Sequence, residues 1–166
     1  MQRLLSPPAG FSSAESSLHR CLGPLSPKHL PFLETLALSA IVNFSDTRLS
    51  LDLSADIAVH ELPVDTSTLH LQAVLDSLEL VLSLAGRNVL LIGTPKNSFD
   101  ALLIACLRRV QGWTMLAILS EFRCNCTARS FDMEQFIEHF DPSLLSYQPN
   151  ATLPEYLQIY REAKVK

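Results

Sequence analysis

The chain has 166 residues, 48% of them hydrophobic and 18% charged, which predicts one soluble globular domain with a substantial core. Its net charge is −4, and its 13 basic residues are dispersed among 17 acidic ones, so no basic stripe of the kind that binds nucleic acid is present. No apolar run approaches a membrane span, and the first ten residues are too short and too broken by proline for a secretory signal. We therefore expect a cytoplasmic protein with free cysteines and with neither membrane nor nucleic acid as a partner.

The pattern of apolar residues predicts three regions: an irregular N-terminal segment over 1–16, a folded domain over 17–150 and a C-terminal helix over 151–166. Short apolar runs bounded by turn residues predict four strands, at Leu18–Leu22, Ala37–Phe44, Ile57–Leu62 and Asn88–Ile92. Apolar residues at helical spacing predict six helices, at Pro27–Leu36, Thr66–Leu84, Phe99–Val110, Trp113–Phe122, Phe131–Phe140 and Leu153–Ala163. Strands alternate with helices early and helices dominate later, which indicates an α/β sandwich around a small, mostly parallel sheet.

The sequence at the centre of the chain predicts a strand, a short loop and a helix in succession. The strand Asn88–Ile92 is almost wholly apolar, as a strand buried on both faces is, and the loop Gly93–Ser98 leads into the helix that starts at Phe99. Loop amides and a helix N-terminus together favour an anion. Cysteine phosphatases use this geometry, with a nucleophilic Cys at the start of the loop and an Arg at its end that grips the phosphoryl oxygens.

The stretch from Val89 to Trp113, with the pair Arg108-Arg109 and the run Gln111-Gly112-Trp113, is similar to the plant and fungal atypical dual-specificity phosphatases. The likeness is strongest to the fungal branch named for oxidant-induced cell-cycle arrest. Further matching stretches are Leu18-His19-Arg20, Phe32–Leu36, Ser39–Asn43, Glu121-Phe122-Arg123 and Gln135-Phe136-Ile137. The resemblance covers residues 7–145. It implies a cysteine-phosphatase-like three-layer sandwich, a small mostly parallel sheet flanked by helices. It also implies inositol pyrophosphates as the active members' substrate class, and association between active and inactive members.

The loop departs from the pattern of active members, which is His-Cys, five residues, then Arg. Aligned without a gap through Gln111-Gly112-Trp113, Ile92 falls at the His, Gly93 at the nucleophilic Cys and Phe99 at the Arg. Gly has no nucleophile and Phe has no guanidinium, so we predict no catalytic residue at this site. The whole degenerate phosphate loop consists of Gly93, Thr94, Pro95, Lys96, Asn97, Ser98 and Phe99.

Three residues in or next to the loop bear on what it can bind. Pro95 removes one backbone donor from the cradle. Asp100 adds a carboxylate in the first helical turn, where it satisfies the helix dipole and repels an anion. Lys96 is the one cation within the loop and is our candidate for an anion contact.

Other candidate residues favour ordinary structural roles. Cys106 lies on the apolar stretch of the helix and is expected in the core rather than as a substitute nucleophile. Cys124 and Cys126, with His139, have neither the usual metal-ligand spacing nor a fourth ligand. Asp65 stands where a phosphatase would carry its general acid, but we interpret it as a cap of the following helix. We expect no metal and no cofactor.

Three hypotheses of function follow. The first is a pseudophosphatase that serves as a non-catalytic subunit or scaffold for protein partners of the same family, in a homo- or hetero-oligomer, within inositol pyrophosphate or stress signalling. The second is a polyanion sensor that binds inositol phosphates without turnover through Lys96 and Arg108 or Arg109. The third is a weak phosphatase that uses unorthodox chemistry.

Overall fold

The computed structural model describes residues 5–65, 69–84, 86–127 and 131–146. The chain divides into two compact units: Met1–Val64 with Arg87–Asp100, and Asp65–Gly86 with Ala101–Lys166. The predicted C-terminal helix over 151–166 falls outside the described residues, so it stays a prediction.

The first unit is built on a five-stranded sheet with strand order β1-β2-β5-β3-β4. Strand β5 is central and pairs in parallel with β2 on one side and β3 on the other, and β4 pairs in parallel with β3. Strand β1 runs antiparallel to β2 at the edge. The prediction of a small, mostly parallel sheet is thus confirmed. The strands are β1 (Ser12–Glu15), β2 (Leu18–Leu22), β3 (Ala40–Asn43), β4 (Ala58–Glu61) and β5 (Val89–Gly93).

The burial of the central strands explains their apolar sequences, from which they could be predicted. Every residue of β3 and β5 is buried, as expected for strands with a neighbour on each edge and cover on each face. One core cluster of this unit joins side chains from β2, β3 and β5 to helix α1 (Leu30–Thr35), which follows a 3₁₀ turn at Pro27–His29. The members of the cluster are Cys21, Leu33, Leu38, Ile41, Leu90 and Ile92.

Strand β1 corrects the prediction that residues 1–16 are irregular. Ser12–Glu15 has the sequence Ser-Ser-Ala-Glu, which has little intrinsic strand propensity. It pairs with β2 in the register Ser12 to Arg20 and Ser13 to His19. This strand therefore forms because its backbone pairs with the edge of the sheet, and its local sequence alone would not predict it.

The second unit contains helices α2 (Leu71–Ser83), α4 (Met115–Asn125) and α5 (Phe131–His139), followed by a 3₁₀ turn at Pro142–Leu144. Helix α3 (Phe99–Val110) begins in the first unit and continues into the second. None of the helices within the described ranges is long and apolar enough to cross a membrane.

Candidate functional site

The predicted anion loop leaves the sheet from the end of its central strand. Gly93 is the last residue of β5, and α3 begins at Phe99. The backbone on both sides holds this end in place, because Gly23 N–H donates to the Gly93 carbonyl at 2.8 Å and Phe44 N–H donates to the Ile92 carbonyl at 2.9 Å. The carboxyl end of a central parallel strand is the usual ligand position in open α/β sheets.

Four backbone amides of this loop donate to acceptors within the loop itself. Asn97 Oδ1 accepts from the N–H groups of Thr94 and Phe99, each at 3.3 Å. The Thr94 carbonyl accepts from Asn97 N–H at 3.3 Å and from Ser98 N–H at 3.1 Å. Four donors of the kind that cradle a phosphate are thus engaged, and Pro95 has none.

Asn97 is the organising residue of this arrangement, since its side chain also donates from Nδ2 to the Phe44 carbonyl at 3.3 Å. It is buried, as is Ser98, whose φ of 44° lies in the left-handed region that L-residues rarely adopt. Asn97 also caps helix α3, because its Oδ1 accepts from the N–H of Phe99, the first residue of the helix.

The space beside residue 93, which the sequence predicts to be the nucleophile position, is occupied by Asp100. A Cβ atom built on Gly93 would overlap the Asp100 carboxylate and would lie 3.0 Å from Asp100 Cβ. Gly93 is therefore required for close approach to Asp100. In this structure the loop lacks a thiol at residue 93, and it also lacks the volume to hold one.

Asp100 forms a buried ion pair with Arg20 of β2. Arg20 Nε donates to Asp100 Oδ2 at 2.6 Å and a terminal guanidinium nitrogen lies 2.5 Å from the same oxygen. The two side chains are only 3% and 0% exposed. The sequence-based interpretation of Asp100 as a partner of the helix dipole thus missed its main counter-charge.

Sequence reasoning treated Arg20 only as part of a family-like strand. One signal was available, because an arginine inside the short strand Leu18–Leu22, with leucine at both ends, requires an anionic partner if it is buried. What the sequence does not reveal is which carboxylate meets it, because the partner lies 80 positions away along the chain.

Phe99, which we predict to stand at the position of the family's phosphate-binding arginine, belongs to the core. It is fully buried and packs edge-to-face on Phe44, with ring centroids 5.0 Å apart and planes at 65°. An aromatic pair therefore occupies this end of the loop.

The cations proposed as anion contacts have different surroundings. Lys96 is exposed. Arg108 is buried and bonds Glu121 from Nε at 2.8 Å and from a terminal nitrogen at 3.0 Å, while its guanidinium carbon lies 4.2 Å from the centroid of the Trp113 ring. Arg109 donates to the Phe140 carbonyl at 3.3 Å. Arg108 and Arg109 therefore hold the second unit together, which argues against their assignment as anion contacts.

The cysteines show no activated thiol among those buried in the structure. Burial raises the pKa of Cys21 to about 12, with the nearby Asp100 charge adding to the effect, and burial likewise raises the pKa of Cys106. The expectation that Cys106 lies in the core is confirmed by its complete burial. Cys124 is exposed and Cys126 half-buried. Within the described ranges no three His, Cys, Asp or Glu side chains are grouped to hold a metal ion.

The interpretation of Asp65 as a helix cap is wrong. Helix α2 begins at Leu71, with His70 in the capping position, so Asp65 lies six residues before the helix. Asp65 itself is exposed.

A parallel sheet whose central strand passes through a tight loop into a helix is the α/β architecture of the cysteine phosphatases. The model of the tyrosine phosphatase family matches residues 5–158, and the chain belongs to this family. Its relatives place it in the plant and fungal atypical dual-specificity branch.

Two sequence relatives and one solved structure illustrate the similarity. The chain is 27% identical over 150 residues to the inositol diphosphatase DSP3 of Arabidopsis thaliana, covering 83% of this chain and 73% of that protein. It is 28% identical over 154 residues to OCA1 of Mycosarcoma maydis, which bears the name of a tyrosine-protein phosphatase, covering 86% and 97%. The core catalytic domain of the PP-IP phosphatase SIW14 from S. cerevisiae, in complex with citrate, superposes with a TM-score of 0.75 at 22% identity, covering 97% and 96%.

Proposed function

We propose that the chain is a pseudophosphatase, a non-catalytic member of its family that acts as a subunit or scaffold for active members. The observation that carries the proposal is the position of Asp100. Its carboxylate occupies the space beside Gly93 and is neutralised there by Arg20. A phosphoryl group entering this loop would meet a buried carboxylate where the family places a thiolate.

The chemistry that remains is too weak for ordinary turnover. Loss of the nucleophile from a covalent catalyst costs factors of about 10⁴–10⁶ in rate. Binding cannot compensate, because four loop amides already donate to Asn97 or Thr94. The same engagement of the amides argues against the polyanion-sensor hypothesis, which then rests on the exposed Lys96 alone.

The setting of the proposed role comes from the relatives. DSP3 is named an inositol diphosphatase and SIW14 a PP-IP phosphatase, so inositol pyrophosphates are the substrate class to test and such enzymes are the partners to test. Retention of the family fold, together with a loop satisfied from within, supports a role in binding other proteins.

The decisive assay compares hydrolysis of an inositol pyrophosphate and of an aryl phosphate by the purified chain and by the SIW14 catalytic domain. We expect activity lower than that of the control by a factor of at least about 10⁴. Turnover within about a hundredfold of the control would refute the proposal, and the unorthodox-phosphatase hypothesis would replace it. Calorimetry with the same inositol pyrophosphate tests the sensor hypothesis, with Lys96→Ala as the matched variant.

A reconstruction variant tests the structural reason. Gly93→Cys with Phe99→Arg restores both family groups, yet we expect it to remain inactive because Asp100 still fills the space and Pro95 still lacks a donor. Circular dichroism checks that the variant is folded. Activity near that of the control enzyme would show that the filled space has no catalytic consequence.

The scaffold role is tested by mixing the chain with an active inositol pyrophosphate phosphatase of the same branch. Sedimentation velocity should show a complex heavier than either protein. Separate sedimentation of the two proteins at micromolar concentration, with several active members, would remove the scaffold role and leave an inactive chain without a family partner.

A further inference from the structure

The first unit contains a groove that shares no lining residue with the degenerate loop. It encloses about 380 Å³ between helix α1, the turn after it and the segment before β4, and we call it the α1 groove. Its floor is formed by Leu33 and Leu38 of the core cluster, and Leu53 and Ile57 pack against the same cluster from the opposite wall. Volumes of about 300–1,000 Å³ are typical of clefts that accept a ligand or a partner's side chains.

The rim of the α1 groove is acidic. Glu34 lies on the α1 wall, and Asp52 and Asp56 lie on the wall before β4, and all three are exposed. None of the residues that line the groove, each of which the structure describes, is Lys, Arg or His. Carboxylates thus stand on both sides of an apolar floor, and their field favours positively charged groups on both sides of an apolar anchor.

Hydrogen bonds shape both walls before any partner arrives. Ala37, which turns the chain out of α1, has a φ of 47°, and Asn88 Nδ2 donates to the carbonyls of Leu36 at 3.0 Å and Ala37 at 3.3 Å. On the opposite wall, Ile57 N–H donates to the Ser54 carbonyl at 3.1 Å. A preformed groove loses less conformational freedom on binding than a flexible one.

We infer that the α1 groove binds a segment of a partner protein in which one or two large apolar side chains are flanked on both sides by Lys or Arg. A polypeptide satisfies this pattern because its side chains present charge on either side of an anchor. The inference rests on the proposed scaffold role, for which it supplies a contact surface.

The test selects ligands from a displayed library of random dodecapeptides with the folded full chain as bait, and then measures synthetic peptides by fluorescence anisotropy. We expect selected peptides to carry Leu, Ile, Met or Phe between basic residues, and to bind more weakly as NaCl is raised. Glu34→Lys with Asp52→Lys should weaken binding by at least about tenfold. Leu53→Ser, which leaves the charges unchanged, should weaken it similarly.

The matched control is Asp46→Lys with Glu138→Lys, which makes the same change in net charge at exposed positions outside the groove. It should reduce the affinity by less than about threefold, an effect of net charge alone. Equal losses in the two charge variants, selection of peptides without basic residues, or recovery of no peptide would each overturn the inference.

These outcomes are separable from those of the hydrolysis assay. Phosphatase turnover by the chain would remove the pseudophosphatase proposal and leave peptide binding in the α1 groove as measured. Failure of the peptide test with no turnover would leave the pseudophosphatase proposal in place and move the partner surface elsewhere.

Discussion

Gly93→Ala is the smallest substitution that tests whether the Asp100 carboxylate fills the space beside residue 93. The added Cβ would overlap this carboxylate, so Asp100 must move and its bonds to Arg20 must lengthen or break. Removal of one partner from a buried ion pair costs about 3–5 kcal/mol. Because Asp100 can relax partly in the variant, we expect the free energy of unfolding to fall by about 2–4 kcal/mol.

Urea unfolding followed by circular dichroism measures this loss. With a dependence on urea of about 2 kcal/mol per molar, the midpoint should fall by about 1–2 M. Gly86→Ala is the control, because a Cβ added at Gly86 would have no heavy atom within 4 Å. Its φ of 80° strains an L-residue, so this variant should lose about 1–2 kcal/mol from backbone strain alone. Equal losses in the two variants would refute the close contact between Gly93 and Asp100.

A double-mutant cycle isolates the contact from general strain. Asp100→Ala leaves Arg20 buried without this carboxylate and should itself cost about 3–5 kcal/mol. In that background Gly93→Ala has no carboxylate to displace, so its further cost should be below about 1 kcal/mol. The interaction free energy of the cycle should therefore be at least about 1–2 kcal/mol, and simple additivity would show that the two positions do not meet.

Three other measurements test separate features. Ellman's reagent should modify Cys21 and Cys106 only as fast as the chain unfolds, since burial raises the pKa of both thiols, whereas rapid native-state labelling of either would contradict their burial. Burial lowers the pKa of His19, so protonation favours the unfolded chain and stability should decline as the pH falls below about 6.5; His19→Gln should reduce this decline in urea midpoints at pH 7 and pH 5. Arg108→Met leaves Glu121 without its guanidinium partner and should lower the unfolding free energy by about 2–4 kcal/mol, and a loss below 1 kcal/mol would show the pair to be dispensable.

Much of the fold was predictable because periodicity and burial agree in the central elements. Strand β2 and helix α3 have the predicted bounds, Leu18–Leu22 and Phe99–Val110. The edge of the sheet and the start of α2 were less predictable. Ser12–Glu15 becomes a strand through pairing, and α2 begins at Leu71, with His70 in the capping position, whereas the sequence predicts a start at Thr66.

Residue identity shows which groups positions 93 and 99 lack, but it does not show which groups surround them. A glycine at position 93 and a phenylalanine at position 99 exclude a thiolate and a guanidinium by composition alone. The pairing of Asp100 with Arg20 depends on how β2 lies beside β5, in a register that sets Leu22 opposite Gly93. No local pattern carries that information, so the structure was needed to show what fills the loop.

The substitutions in the loop depend on one another physically. The Asp100 carboxylate can lie where it does only because residue 93 has no Cβ, and its bonds to Arg20 offset the cost of its burial. Asn97 Oδ1 accepts hydrogen bonds from the backbone amides of Thr94 and Phe99. The side chain of Phe99 packs on Phe44 in the core. A side chain restored at residue 93 would therefore disturb the Asp100–Arg20 pair. The contacts of Asp100, Asn97 and Phe99 thus give this loop a packed, internally hydrogen-bonded structure.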